Sequence, residues 1–188
     1  IPKADMIFIC NPNNPTGQAV SKRDLMGLLD ETLDMGVMVF LDESYVEFSG
    51  GDSLAKLVDK YPNLFVLRSL TKAFGLMGLR VGYGVASEEL VEFMSKAKMS
   101  WSVNVLAQAA AVAALKDKSH LEKARGVVER ERKFLFRELR KVEGFHVLPT
   151  KANFFLVNVE DSGFDASNLK ERLLEHRIIV RDCSSIRG

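Results

Sequence analysis

Cysteine is scarce in this 188-residue chain. Cys10 and Cys183 alone do not make a disulfide framework, and no Cys/His spacing resembles a zinc site, so a reducing, cytoplasmic setting is expected. Histidine is nearly as rare, and His120, His146 and His176 stand in charged or strand contexts that favour surface or packing roles. An excess of charge is missing too. With 26 basic against 25 acidic residues the formal net charge is +1, which gives no electrostatic case for nucleic acid or an anionic membrane surface, and any anion site must be local. No apolar run approaches the length needed to span a bilayer, no signal peptide opens the sequence, and there is no internal repeat or low-complexity tract. What remains is 47% apolar and 27% charged residues, enough of the former to bury a core and too many to leave the chain disordered.

Taken in order, Met6 to Cys10 reads as a short apolar strand, and Asn11 to Gly17, NPNNPTG, as a stiff loop that two prolines and a glycine keep out of regular structure. Ser21 reads as the N-cap of a helix, with Asp24 in its first turn and Leu25, Leu28, Leu29 and Leu33 at helical spacing, ended by Gly36. Val37 to Leu41 is a continuous apolar run of the kind found in a strand covered on both faces. Strand, helix, strand implies a parallel pair with a right-handed crossover. Leu54 to Asp59 is a short helix or turn, and Leu64 to Leu67 a third strand. Leu79 to Ala86 alternates strand formers with glycine, too soon after the third strand for a helical crossover, so it is expected antiparallel. Helices then follow from Ser87, over Val103 to Lys116 and over Ser119 to Lys141. Strands at Phe145 to Leu148 and Phe154 to Val159, a helix over Asp165 to Glu175 and a strand at Ile178 to Val180 complete a small α/β lobe. The expected organisation is a first unit over residues 1–117 and a second, led by the long helix, over 118–188, with the boundary near Leu115 to Ser119.

The chemistry-bearing residues sit just past the strands, where open parallel sheets bind ligands. Lys72 lies at the mouth of the third strand, in RSLTKAFGLMGLRVGYG. Set among Leu70, Ala73, Phe74 and Leu76, it is expected to be desolvated, which disfavours its charged form and suits a Schiff-base amine. Arg80 offers a planar cation for a phosphate, and Ser69 and Thr71 offer hydroxyl donors. An amine for an aldehyde beside donors for a phosphate points to pyridoxal phosphate. In LDESYVEF, Asp42 suits a pyridinium nitrogen as partner and Tyr45 a ring oxygen, while Glu43 reads as structural. The Asn14 amide, held by its proline-rich loop, is a further donor towards a ring substituent.

NPNNPTG, LDESYVEF and SLTKAFGLMGLRVGY, in that order, resemble the class I/II aminotransferases of pyridoxal-phosphate fold type I over nearly the whole chain. The resemblance implies most of the large domain of that α/β fold, a mainly parallel sheet with one antiparallel strand and helices on both faces, plus part of a small C-terminal α/β domain. It implies that Lys72 forms the Schiff base, that Asp42 pairs with the pyridine nitrogen, that Asn14 and Tyr45 flank the ring hydroxyl, and that Ser69, Arg80 and Thr71 hold the phosphate. It also implies a cis peptide at Asn14-Pro15. Within the family, IIVRDCSS resembles the subgroup acting on phosphorylated amines, histidinol-phosphate aminotransferase and threonine-phosphate decarboxylase, in which Arg181 would bind the substrate's phosphate. WSVN, Trp101 to Asn104, is somewhat more similar to the decarboxylases. The implied partners are a small-molecule amino donor and a 2-oxo acid, and the implied assembly a homodimer of the full-length protein.

The chain departs from the family in lacking an upstream glycine-rich phosphate loop, an aromatic residue to stack on the cofactor and a second substrate arginine near the far end. It therefore looks like a piece of a longer enzyme, with weak cofactor retention expected. A reading of another class is a non-catalytic domain, either a fragment or a ligand-sensing regulator; regulators similar to aminotransferases ordinarily carry an added nucleic-acid module, and nothing basic or helix-turn-helix-like is present, which favours the fragment of an enzyme.

Overall fold

The computed structural model describes residues 4–186. Strands β1 (Met6–Cys10), β2 (Met38–Asp42), β3 (Leu64–Ser69) and β4 (Gly82–Val85) form one sheet in that order, parallel across the first three and antiparallel at β4. Helix α1 (Lys22–Asp34) supplies the crossover between β1 and β2, and Ser21 caps it by accepting from the Asp24 amide at 3.2 Å. One face of the sheet forms the main core. Val39, Leu41, Leu64 and Val66 pack against Leu25 and Leu29 of α1, against Leu54 of the 3-10 turn Leu54–Leu57, and against Val58 and Tyr61. Strand alternation puts Phe8, Phe40, Phe65 and Asp42 on the opposite face. There the three rings form a row, with centroids 5.3 and 5.0 Å apart, and Phe8 is 72% exposed.

The helices α2 (Val46–Ser49), α3 (Glu88–Ala97), α4 (Val105–Lys116) and α5 (Lys118–Leu139) follow, then a two-stranded antiparallel pair, β5 (His146–Val147) and β6 (Val157–Asn158), and α6 (Ala166–Glu175). Leu121 and Val128 of α5 pack on a cluster of Tyr45, Phe48, Ala73 and Ala152, which binds the end of the chain to the start. Three further ties reach the 11–17 loop and α2. The Lys151 amide donates to the Gly17 carbonyl, Arg125 Nε to the Glu47 carbonyl at 2.7 Å, and Arg132 Nη1 to the carbonyls of Phe48 at 3.1 Å and Ala152 at 3.4 Å.

One expected strand is corrected. Ile178 to Val180 is irregular and pairs with no strand among the described residues. The Ile178 amide instead donates back to the Leu173 carbonyl, closing the end of α6, and Ile179 is left 86% exposed. The strand expected from Leu79 begins only at Gly82, because Met77–Leu79 turns as a 3-10 helix and Arg80 takes a left-handed conformation (φ 55°).

Gly82 has no room for a side chain: a Cβ there would lie 2.6 Å from the Arg68 carbonyl oxygen across the β3–β4 pair. Gly82→Ala is therefore expected to force β4 away from the end of β3 at a cost of about 1–3 kcal/mol, read as a lower urea midpoint. An unchanged midpoint would show that the pair adjusts freely.

Candidate functional site

The candidate residues converge because three parallel strands end side by side, with Cys10 opposite Asp42 and Asp42 opposite Leu67. Asp42 closes β2. Its carbonyl accepts from the Asn11 amide at 2.9 Å, and its Oδ1 accepts from the Ser44 amide at 2.8 Å, a local turn that fixes the carboxylate while leaving Oδ2 without a hydrogen bond among the described residues. The NPNNPTG loop is stiffened from within: the Thr16 hydroxyl donates to Asn13 Oδ1 at 2.8 Å, and the Gly17 amide to the Asn13 carbonyl at 2.7 Å. The peptide bonds Asn11-Pro12 and Asn14-Pro15 are both cis. The outcome is that Asn14 Nδ2 donates to the Tyr45 hydroxyl at 3.4 Å.

Tyr45 is buried, its ring meeting the edge of Phe154 at 5.1 Å, and Lys72 Nζ lies 5.6 Å from the centroid of the same ring. Asn14, Tyr45 and Lys72 are thus brought together from three separate strand ends. Ser69 and Thr71 form a second group, with hydroxyls 2.8 Å apart and the Thr71 amide donating to Ser69 Oγ at 3.2 Å.

Three expectations fare differently. Lys72 is exposed, so its own apolar neighbours do not desolvate it; Leu70 and Ala73 are buried and face away from it into the core. Arg80 is exposed, donates to the Met77 carbonyl at 3.3 Å and makes no hydrogen bond to Ser69 or Thr71 among the described residues. Arg181 lies exposed in the irregular segment after α6 and joins none of the other candidates by a hydrogen bond or ion pair among the described residues. A cavity of about 330 Å³ lined by residues including Asn11, Lys22, Glu43, Asp52 and Lys151 lies apart, and none of Asn14, Asp42, Tyr45 or Lys72 lines it.

Beneath the site is a group that the sequence marked only in part. Arg68 Nη2 donates to Glu47 Oε1 at 2.5 Å and Nη1 to Glu43 Oε2 at 3.5 Å, with both carboxylates 3% exposed. Glu43 also accepts from the Ser53 hydroxyl at 2.5 Å and the Leu54 amide at 2.8 Å, which bears out its structural reading. Two glutamates four residues apart beside a strand-end arginine were the available signal for Glu47 and Arg68. Phe154 gave none, since its contact with Tyr45 spans more than a hundred residues.

A sheet of three parallel strands and one antiparallel, with a lysine, an aspartate, a tyrosine and an asparagine at its strand ends, defines a fold type I pyridoxal-phosphate enzyme domain in part. The chain belongs to the aminotransferase class I and II family, whose sequence model matches residues 1–187. It is 41% identical over 183 residues to the histidinol-phosphate aminotransferase of Methanopyrus kandleri, covering 97% of this chain and 46% of that protein. Among solved structures it is similar to the histidinol-phosphate aminotransferase of Clostridium acetobutylicum, with TM-score 0.92 and 30% identity over 98% of this chain and 56% of that one. It is also similar to the L-threonine-O-3-phosphate decarboxylase of Porphyromonas gingivalis, with TM-score 0.89, 29% identity and the same coverage. The chain spans about half the length of the curated relatives it matches.

Burial raises the Glu43 carboxyl above its ordinary range, with the Ser53, Leu54 and Arg68 contacts opposing. The folded state then holds that proton more tightly than the unfolded state. Its contribution to stability is fully present below the ordinary glutamate value of about 4.3 and declines as pH rises through the raised value. Urea midpoints of the native chain should therefore fall relative to those of Glu43→Gln as pH goes from about 4 upward, and parallel profiles would refute the assignment.

Proposed function

We propose that this chain carries the lysine-bearing part of a pyridoxal-phosphate-dependent aminotransferase that moves an amino group between a phosphorylated amine of the histidinol-phosphate kind and a 2-oxo acid. The observation that carries the reading is the meeting of Asn14, Tyr45 and Lys72 at three strand ends, with Asp42 closing the middle one of those strands. Pyridoxal phosphate is the cofactor of this family, and the donor set fits it: an amine for its aldehyde, a carboxylate for its ring nitrogen, a phenol and an amide for its ring oxygen, and paired hydroxyls for its phosphate. When bound, the cofactor supplies an electron sink for the substrate's α-carbon.

In this reading Lys72 Nζ would hold the cofactor, and the same amine would serve as general base and acid towards the substrate's α-proton. The Asp42 carboxylate keeps the ring nitrogen protonated, and the Ser44 amide aims it. Tyr45, packed on Phe154 and bonded by Asn14, orients the ring oxygen. Ser69 and Thr71, with Arg80, would hold the cofactor phosphate, which would require Arg80 to give up the Met77 carbonyl, and Arg181 would take the substrate phosphate. Residues 1–117 are read as part of the cofactor-binding domain, 118–188 as part of the smaller one, and the active assembly as a homodimer.

Decarboxylation of a threonine-phosphate-like substrate on the same residues is the second reading, favoured by the likeness to the P. gingivalis decarboxylase. The two differ in which bond at the substrate's α-carbon would break, the one to hydrogen or the one to the carboxylate. Consumption of a 2-oxo acid with histidinol phosphate supports the first, and carbon dioxide release from threonine phosphate without a 2-oxo acid supports the second.

Titration with pyridoxal phosphate should give a saturable absorbance band that Lys72→Ala abolishes. The same substitution, in any protein that carries this chain, should lower turnover by at least about 10²–10⁴-fold, the contribution of a general acid–base alone. Full turnover in Lys72→Ala would end the assignment.

A further inference from the structure

His120 stands near the start of α5, far in sequence from Asn14, Asp42, Tyr45 and Lys72, yet its ring reaches the lysine turn. Its Nε2 lies 3.0 Å from the Ala73 carbonyl oxygen, and its ring stacks on Phe74 with centroids 5.9 Å apart and planes 20° from parallel. A carbonyl only accepts, so Nε2 carries the hydrogen and donates it. The position of the histidine is itself fixed. Asp117 caps α5, its Oδ1 accepting from the His120 amide at 2.9 Å and from the Ser119 hydroxyl at 2.9 Å.

Ala73 follows Lys72 directly and is buried against Tyr45, Phe48 and Ala152. The turn around them is closed by the Gly75 amide donating to the Lys72 carbonyl at 3.2 Å and the Leu76 amide donating to the Leu70 carbonyl at 3.2 Å. His120 supplies the one side-chain hydrogen bond to the backbone of residues 72–74 among the described residues. Further along α5, about one and a half and three turns on, Arg125 and Arg132 bond the carbonyls of Glu47 and Phe48, which follow Tyr45. One helix therefore ties down both the lysine turn and the tyrosine turn, by separate side chains.

We propose that His120 is a positioning residue for Lys72. By donating to the Ala73 carbonyl it fixes the Ala73–Phe74 peptide, one residue past Lys72, and so holds the turn that sets the direction in which Nζ is presented. The proposal rests on the reading of Lys72 as the reactive amine.

The test compares His120→Phe, which keeps an aromatic ring against Phe74 and deletes the donor, with His120→Gln, whose amide nitrogen can donate to Ala73 and cannot stack as an aromatic. Two quantities are read for each: the dissociation constant of pyridoxal phosphate from the Lys72-dependent absorbance band, and amide exchange at Gly75 and Leu76, with Val39 and Leu41 of the central sheet as reference. His120→Phe is expected to weaken the cofactor about fivefold, the worth of one ordinary hydrogen bond, and to speed exchange at Gly75 and Leu76 while the reference amides stay as they were. His120→Gln is expected to stay within about twofold of the native chain on both readouts. Native values in His120→Phe, equal defects in the two variants, or a matching rise at Val39 and Leu41 would overturn the proposal. Should the native chain show no band that Lys72→Ala removes, the reading of Lys72 fails, and the exchange rates by themselves decide for or against His120.

Discussion

Arg68, shared by two buried carboxylates, is the constraint on which the rest of the site depends. It leaves β3 one residue before Ser69 and four before Lys72, while Glu43 and Glu47 flank the Tyr45 turn that leaves β2. The hydrogen-bonded strand register alone would align β2 with β3 but would not govern the irregular segments beyond them. The ion pairs do, by locking the two exits together. The lock is costly to assemble, because three charges leave water and the pairs return only part of that loss. Breaking it from one side is costlier still, since Arg68 Nε and Glu47 Oε2 already lack partners among the described residues and a lone buried charge would remain. Such a group stabilises one geometry more than it stabilises folding.

A second set of contacts extends that geometry to the C-terminal third. Gly17 has a positive φ of 70°, and a Cβ there would lie 1.9 Å from Thr150 Oγ1, so the NPNNPTG loop meets residues 150–151 backbone to backbone. Arg132 spans Phe48 and Ala152, and Phe154 closes on the Tyr45 ring. The Tyr45 side chain, placed by sequence at the end of a strand, is held in practice from the other end of the chain.

This separates what could be read from the sequence from what could not. Strands β1 to β3, helix α1 and its Ser21 cap were legible because apolar runs, a 3.6-residue spacing and capping chemistry are local signals. The antiparallel β4 followed from loop length. Asn14, Asp42, Tyr45, Ser69, Thr71 and Lys72 were legible as strand-end residues for the same reason. Ile178 to Val180 has strand composition but no partner strand among the described residues, and pairing is a property of the whole sheet, not of the segment. His120, Arg132 and Phe154 act across dozens of residues, so nothing near them in sequence announces what they touch. Arg80 belongs to the same class: its residue type was readable, its left-handed turn and its hold on Met77 were not.

Lys72 poses the remaining physical question, since a solvated ammonium is a poor nucleophile at neutral pH. Nothing that the described residues bring to it supplies a dry environment: its side chain is exposed, and the nearest aromatic face, Tyr45, is 5.6 Å away. The sheet face onto which Asp42 projects is open as well, with Phe8 in water at the end of the Phe8, Phe40 and Phe65 row. An apolar row beside an acceptor carboxylate and an amine is unfavourable as a permanent surface at about 25 cal/mol per Å² of exposed carbon. It becomes favourable once covered, and covering it would exclude water from the rim where Asp42 and Lys72 stand. In the reading of Lys72 as the reactive amine, its desolvation and the burial of the aromatic row would then be one event.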